Sequence, residues 1–455
     1  MKHRSLWLFL TWALLPLGAA ADDVHYQDFI LGDQAVGLGG AYTAIAADPS
    51  GIWYNPAGIV DVANTSLSLS ANLYGIQDSF VGKREEVIPK DPISKLVVVP
   101  SSAGFVQSMG RMDNWGLRPW AFGMSIVVPS FRKLTTSEEG ESDDPTLGRS
   151  RHGYHRVFED QTLWIGIGAA YRLHARMSLG FGLALAHRSV QDAASSFVAS
   201  GFVDGAFTQF RTSMMDLNFS NDSLLATAGV KYRLTDAFYL GAMLRSPTMP
   251  VRAKGSMRFT RARADAQGNV GFLPTPESLE VKSESKSNGE GRVGLAFVLP
   301  QFLTVSVDAS VHLPVSYTLV EVQDEAARKL LLVTPTIERN LVVNGNLGVE
   351  FQILNRYAIG FGGFSNFSSA PSIPGSPDKL LPASDQVHLF GGSLALGLFS
   401  EHTLTRLGVV YSRGSGTDVI AVNNPDQLAL DEQAFARVNL TQTALYFFLA
   451  STFRY

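Results

Sequence analysis

The chain has 9 histidines and no cysteine, which leaves few ways to do covalent chemistry. Without a thiol there is no cysteine nucleophile, thiolate metal site or disulfide framework. A hydrolase on a β-scaffold needs a serine or aspartate within hydrogen-bond reach of a histidine. Asp308 and His312 are the one such pair on a strand-like segment. Four positions along a strand separate them by about 13 Å, too far for a direct relay. Gly37-Leu38-Gly39-Gly40 is glycine-rich, but it follows no strand and is rejected as a nucleotide loop. No catalytic residue, metal ligand or cofactor is expected, and the chain is not read as an enzyme.

Binding chemistry is better represented. Arg188, Arg245, Arg292 and His312 fall on one face of four segments, near the same end of each. Such a cluster suits a carboxylate; the alternative is an internal network with Asp308 and Glu350. Between residues 189 and 222 lie Phe197, Val198, Phe202, Val203, Phe207, Phe210, Met214, Met215 and Phe219. That is unusually apolar for a connection facing water. It marks either a binding surface, to which methionine lends adaptability, or a satellite core under neighbouring loops.

The elements holding these residues are strands. In 303–312, Leu303, Val305, Val307, Ala309 and Val311 share one face and Thr304, Ser306, Asp308, Ser310 and His312 the other. One face suits lipid and the other a wet lumen. Segments of roughly ten residues with this pattern recur from about Ser66 onward, the length a tilted membrane strand needs. About fourteen are expected. Short connections near 109–116, 173–176, 235–237, 300–301, 353–355 and 399–402 alternate with long ones. The long ones are near 75–94, 129–160, 189–222, 246–287, 313–341, 365–384 and 414–440. This places both termini on the short-turn, periplasmic side of a closed antiparallel barrel. After residue 21 no stretch is apolar enough for a spanning helix, so a membrane protein of this sequence has only the barrel left. The last strand carries Phe447, Leu449, Phe453 and the final Tyr455, the ending expected of an outer-membrane barrel delivered to the barrel-assembly machinery.

Lys2-His3-Arg4, the apolar run Leu6–Leu17 and Ala19-Ala20-Ala21 read as a signal peptide over residues 1–21. Charged residues are only 17% and the net charge is −4, which argues against nucleic acid as a partner. Residues 22–64 do not alternate. They read as a small helical segment, with Asp48 as N-cap and Pro49 at the first helical position. A fourteen-stranded barrel is too wide to fill with its own side chains, so the lumen is the place for such a plug.

Gly39-Gly40-Ala41, Ala46-Ala47-Asp48-Pro49-Ser50 and Trp53-Tyr54-Asn55-Pro56-Ala57-Gly58 resemble the amino-terminal hatch of FadL/TodX outer-membrane transporters. Trp120-Ala121-Phe122-Gly123 with Val128-Pro129 resembles the third strand of that family. The resemblance implies a hatch over 22–64, a barrel over 65–455 and passive transport of long-chain fatty acids or hydrocarbons. It implies capture among the outer loops, a pocket in the lumen and lateral release into outer-membrane lipid beside the kinked third strand. Asn55, Pro56 and Ala57 would then gate, with Gly123 beside the exit. Read without the family, Asn55 and Pro56 are an ordinary helix start. The rival functions are an adhesive barrel and a water-filled porin.

Overall fold

A computed structural model describes residues 25–26, 29–81, 99–112, 118–144, 148–203, 206–265, 267–273, 279–321, 336–373, 386–422 and 434–455. The expected signal peptide lies outside them. Fourteen antiparallel strands form the wall: β1 (Thr65–Val81), β2 (Val99–Met109), β3 (Trp120–Asp144), β4 (Gly148–His174), β5 (Met177–Val203), β6 (Ala206–Arg233) and β7 (Phe238–Arg245); then β8 (Glu290–Leu299), β9 (Leu303–His312), β10 (Val342–Ile353), β11 (Tyr357–Asn366), β12 (Gln386–Phe399), β13 (Thr403–Val422) and β14 (Ala434–Arg454). Each pairs with the next, and β14 pairs back with β1 from Ser66↔Arg454 upward, so the sheet closes. Closure leaves no unpaired edge, the condition for strands to sit in lipid.

The alternation read from the sequence holds. On β9, Thr304, Ser306, Asp308, Ser310 and His312 are buried, while Val307 and Val311 are exposed. Leu69, Ile167, Phe181, Leu295, Leu347, Phe361, Leu396 and Phe447 continue the apolar exterior around the barrel. A face of that kind is stable against acyl chains and not against water.

The wall has uneven height. β3 to β6 run 25, 27, 27 and 28 residues, whereas β7 to β9 run 8, 10 and 10. About ten residues cross the bilayer, so the tall strands rise well beyond it. Two expected loops, 129–160 and 189–222, are therefore β-hairpins rather than irregular connections. Their extended parts carry cross-strand ion pairs, among them Lys133–Glu159, Arg149–Glu141 and Arg156–Asp192. The loop after β7 adds the strand Met249–Ala264, which pairs along β6 from Leu224↔Met249 to Phe210↔Ala264.

Residues 29–62 thread the lumen. Leu31, Ala35, Leu38, Ala41, Ala44, Ala46, Tyr54, Ala57 and Ile59 are fully buried there. The helical expectation is met only in pieces: α1 (Asp33–Gly37), α2 (Gly51–Tyr54) and a 3-10 helix, Pro56–Asp61. The N-cap of α2 is Ser50 rather than Asp48. The Asp48 carboxylate instead accepts from the Ser50 N–H and hydroxyl and from Tyr42.

Candidate functional site

Glycines on the inner face of the wall decide how the lumen segment sits. Gly180 and Gly229 face each other across β5 and β6. A Cβ on Gly180 would lie 2.2 Å from the Ala57 nitrogen, and one on Gly229 would lie 2.1 Å from the Asn55 Oδ1. Gly241 and Gly294, opposite one another on β7 and β8, leave room for the backbone of Thr43 and Ala44. Gly348 and Gly362, paired across β10 and β11, do the same for Leu38 and Gly39. A strand glycine permits such close backbone approach at some cost in strand stability.

Polar contacts then fix the segment. Asn55 donates to the carbonyls of Thr43 and Val230 at 2.9 and 3.0 Å and accepts the Ala57 N–H at 3.1 Å. Asn55 thus caps the 3-10 helix that Pro56 opens, as the ordinary helix-start reading has it, and also bonds the wall. Asp308 accepts the N–H groups of Tyr42 and Thr43, both at 2.9 Å. Arg406 holds Asp33 at 2.7 Å and grips Glu350 with two nitrogens. At the far end, Asp61 meets Arg172 and Lys231 at 2.7 and 2.6 Å. Desolvation raises the Asp61 carboxyl, but Lys231 and Arg172 outweigh it and hold it below its ordinary value. Burial, and then Asp33, push the Asp48 carboxyl up despite its hydrogen bonds.

Above this plug lies an open-mouthed cavity of about 170 Å³. Trp53 of α2 and Trp164 of β4 form its floor, ring centres 4.6 Å apart. The Arg245 guanidinium lies 4.1 Å from the Trp53 ring centre and 5.2 Å from that of Trp164. Arg245 also donates to the Trp53 carbonyl at 2.6 Å and pairs with Glu290, which Arg292 contacts at 2.8 Å. Tyr26 stacks on His312 with ring centres 4.5 Å apart. Arg188 bonds Asp160, Ser285 and Tyr317. Among the described residues, Nε1 of both tryptophans, Nε of Arg245, Nη1 of Arg292 and Nδ1 of His312 are buried without a partner. Buried donors in folded proteins are nearly always satisfied, so a cluster of orphans marks a place where another molecule can supply acceptors. A small, mainly apolar gap of about 20 Å³ lies against the same two tryptophans, bounded by Ile52, Ala184 and Leu225.

The architecture has counterparts among solved structures. A FadL homologue from Pseudomonas aeruginosa superimposes with a TM-score of 0.63 at 12% identity, over 94% of this chain and 99% of that one. The fold is that of the FadL-type channels. The toluene transporter TodX of P. putida aligns at TM-score 0.58 and 13% identity, covering 93% and 98% of the two chains. The toluene transporter TbuX of Ralstonia pickettii aligns at 0.54 and 13%, again over 93% and 98%. No family model and no curated protein matches the sequence.

Within this FadL-type fold the expected residues separate. Arg188, Arg245 and His312 line one cavity, and Arg292 lies beneath it through Glu290. Their ion-pair partners are Asp160 and Glu290. Asp308 binds the plug backbone while its charge still acts on Arg292, and of the two partners expected from the sequence only Glu350 is corrected, since it serves Arg406. Phe219 packs with Val190, Met257 and Val281 as a satellite core. Phe197 and Phe210 stack at 6.2 Å, with Met214 beyond them. By strand parity these three lie on the face continuing the lipid-facing wall, and Phe210 and Met214 are exposed. Phe207 has lumen-face parity. Phe202 pairs with Phe207 through the backbone, and its side chain lies outside the described set. Gly123 is on the lumen face beside Ile52, and its strand is paired on both sides, to Val106 and Gly168. The interruption in β3 comes later, at Val128 and Pro129.

Sequence reading had Trp53 only as part of a motif and missed Trp164, Arg406 and the glycine seam. The seam left a trace: Gly166, Gly168, Gly180, Gly182, Gly360 and Gly362 sit at alternate positions inside strands, where glycine needs a reason.

Proposed function

We propose that this chain carries hydrophobic compounds passively across a bacterial outer membrane. The tall hairpins receive the compound, the cavity over Trp53 and Trp164 binds it, and it leaves sideways through the wall into lipid. Residues 22–64 act as the hatch and 65–455 as the barrel, with the termini periplasmic. Its aromatic final strand engages the barrel-assembly machinery. The observation that carries this reading is a cavity with an aromatic floor and spare buried donors, set directly on a tightly seated plug. On this reading the seated plug blocks ions, while an apolar molecule gains about 0.8 kcal/mol per CH₂ moved out of water. Arg188, Arg245 and Arg292 favour cargo with an anionic or hydrogen-bond-accepting end, such as a fatty acid. The toluene transporters of like fold support hydrocarbons as the other class.

Tryptophan fluorescence of the purified protein tests this. Oleate or toluene bound over Trp53 and Trp164 should change the emission saturably, and Trp164→Phe should remove most of that change while the barrel still migrates as folded. No saturable change with either compound would reject the pocket as the binding site.

A further inference from the structure

We propose that the lateral port lies in the panel of residues 284–289 between β7 and β9, and not beside β3; this rests on the transport reading above. The panel is where the wall loses its ladder. Pairing of β7 with β8 ends at Arg245↔Glu290 and resumes only at Gly255↔Val281, in the loop strands above. On the other flank, pairing of β8 with β9 ends at Glu290↔His312 and resumes at Ser283↔Val320. Residues 284–289, Glu-Ser-Lys-Ser-Asn-Gly, are in no strand. A few bonds hold the panel to its flanks: Glu284 N–H to Leu319 at 3.2 Å, Thr248 with Ser287 at 2.7 and 3.3 Å, and Leu313 N–H to Gly289 at 2.9 Å. The sequence supplies a cause. Pro247 and Pro250 lack the N–H groups a ladder needs, and proline in a wall strand marks such a break.

Space lies on both sides of the panel. Ser285, Lys286, Ser287 and Asn288 line the lumen cavity. Outside is a depression of about 540 Å³ whose walls include Phe181, Ala226, Leu244, Pro247, Gly289 and Leu313. Leu244 and Leu313 are 69% and 49% exposed on the lipid-facing surface, so the depression is apolar and opens outward. Arg245 and Glu290 border both spaces. A cargo molecule in the cavity is thus separated from lipid by one weakly laddered segment. β7 is 8 residues long, so a panel at its upper end stands roughly 20–25 Å above the periplasmic turn, at the outer edge of the apolar band. Gly289 lets the flanks close over it, since a Cβ there would meet Leu313 at 3.1 Å and Pro247 at 3.4 Å. β3 also breaks its ladder and borders the same cavity, through Pro129 and Ser130, but the break spans only Val128 and Pro129, Val128 packs into the central core cluster, and residues 120–127 below it are laddered to β4 throughout.

The cysteine-free chain allows a clean test. Thr248→Cys with Ser287→Cys would tie the panel to its flank. Ala103→Cys with Ile126→Cys, opposite each other in register, would lock β2 to β3 instead. Each double variant is assembled in cells, and uptake of radiolabelled oleate and toluene is measured oxidised and after dithiothreitol. Thermal gel migration of the reduced forms verifies folding, and tryptophan quenching verifies that the pocket still binds. The expected result is at least a five-fold fall in uptake for oxidised T248C/S287C, restored by reduction, with A103C/I126C within two-fold of wild type. Unchanged uptake with T248C/S287C fully cross-linked, or a block by A103C/I126C alone, would overturn the port. If the unmodified protein supports no uptake at all, the transport reading fails and the port with it.

Discussion

Arg406 on β13 and Arg245 on β7 are both buried arginines on the lumen face, yet their surroundings differ in kind. Arg406 faces two carboxylates, Asp33 and Glu350, and Thr452 and Gln34 complete the acceptor sites of those groups. Among the described residues, Arg245 shares its one carboxylate, Glu290, with Arg292, and both arginines keep a buried N–H without a partner. The first cluster is fully paired and joins plug to wall. The second has donors to spare and lies beside a cavity. A buried ion cluster that is complete acts as an anchor; one short of acceptors is prepared for a ligand.

The largest effect should come from breaking the complete cluster. Arg406→Met strands Asp33 and Glu350 in the interior, which costs about 3–5 kcal/mol when one partner of a buried pair is removed. Heat-modifiable migration should shift to markedly lower temperature, and residues around Asp33 should become open to protease. The same change at the other cluster should act on binding first. Arg245→Gln keeps a donor over the tryptophans but removes the charge. Oleate affinity should fall about ten-fold, equivalent to about 1.4 kcal/mol, while toluene affinity stays within about two-fold. Equal losses for both compounds would show that Arg245 serves the structure and not a carboxylate.

The smallest effect concerns the exposed tether at Asp61, and its sign follows from the direction of its shift. The folded carboxyl sits below the unfolded value of about 3.9. Its stabilising contribution is therefore complete above that value and is lost as pH falls through the lower, folded one. Wild type and Asp61→Asn should differ by a constant amount from about pH 5 to 8 and converge only in stronger acid. A difference that already fades near pH 6 would place the tether elsewhere.

How much was legible follows from what each feature demands of a sequence. The wall was legible because lipid on one side and water on the other force a period of two, as on β9. The tall hairpins were not. Above the bilayer both faces of a strand can be polar, so Lys133, Glu159, Arg149 and Glu141 read as a loop when they are cross-strand pairs. Arg188, Arg245, Arg292 and His312 were found by parity, but Glu290, the partner of Arg245 and Arg292, was not, because it opens a strand that the alternation places at Arg292. Trp53 was seen only as part of a motif, and Trp164 joins it through the closure of the barrel, which no local pattern records. Arg406 could have been found: it is a lone cation on the lumen face of an otherwise small and apolar strand.

The central claim is that the barrel passes hydrophobic molecules while its plug stays seated. The most direct measurement is uptake of radiolabelled oleate and toluene by de-energised cells with and without the protein, beside ion conductance of the same protein in a planar bilayer. The account predicts protein-dependent, saturable uptake of at least one compound and no steady ion conductance. Uptake no greater than in cells lacking the protein, together with a large open-channel conductance, would contradict it and make the chain a water-filled pore.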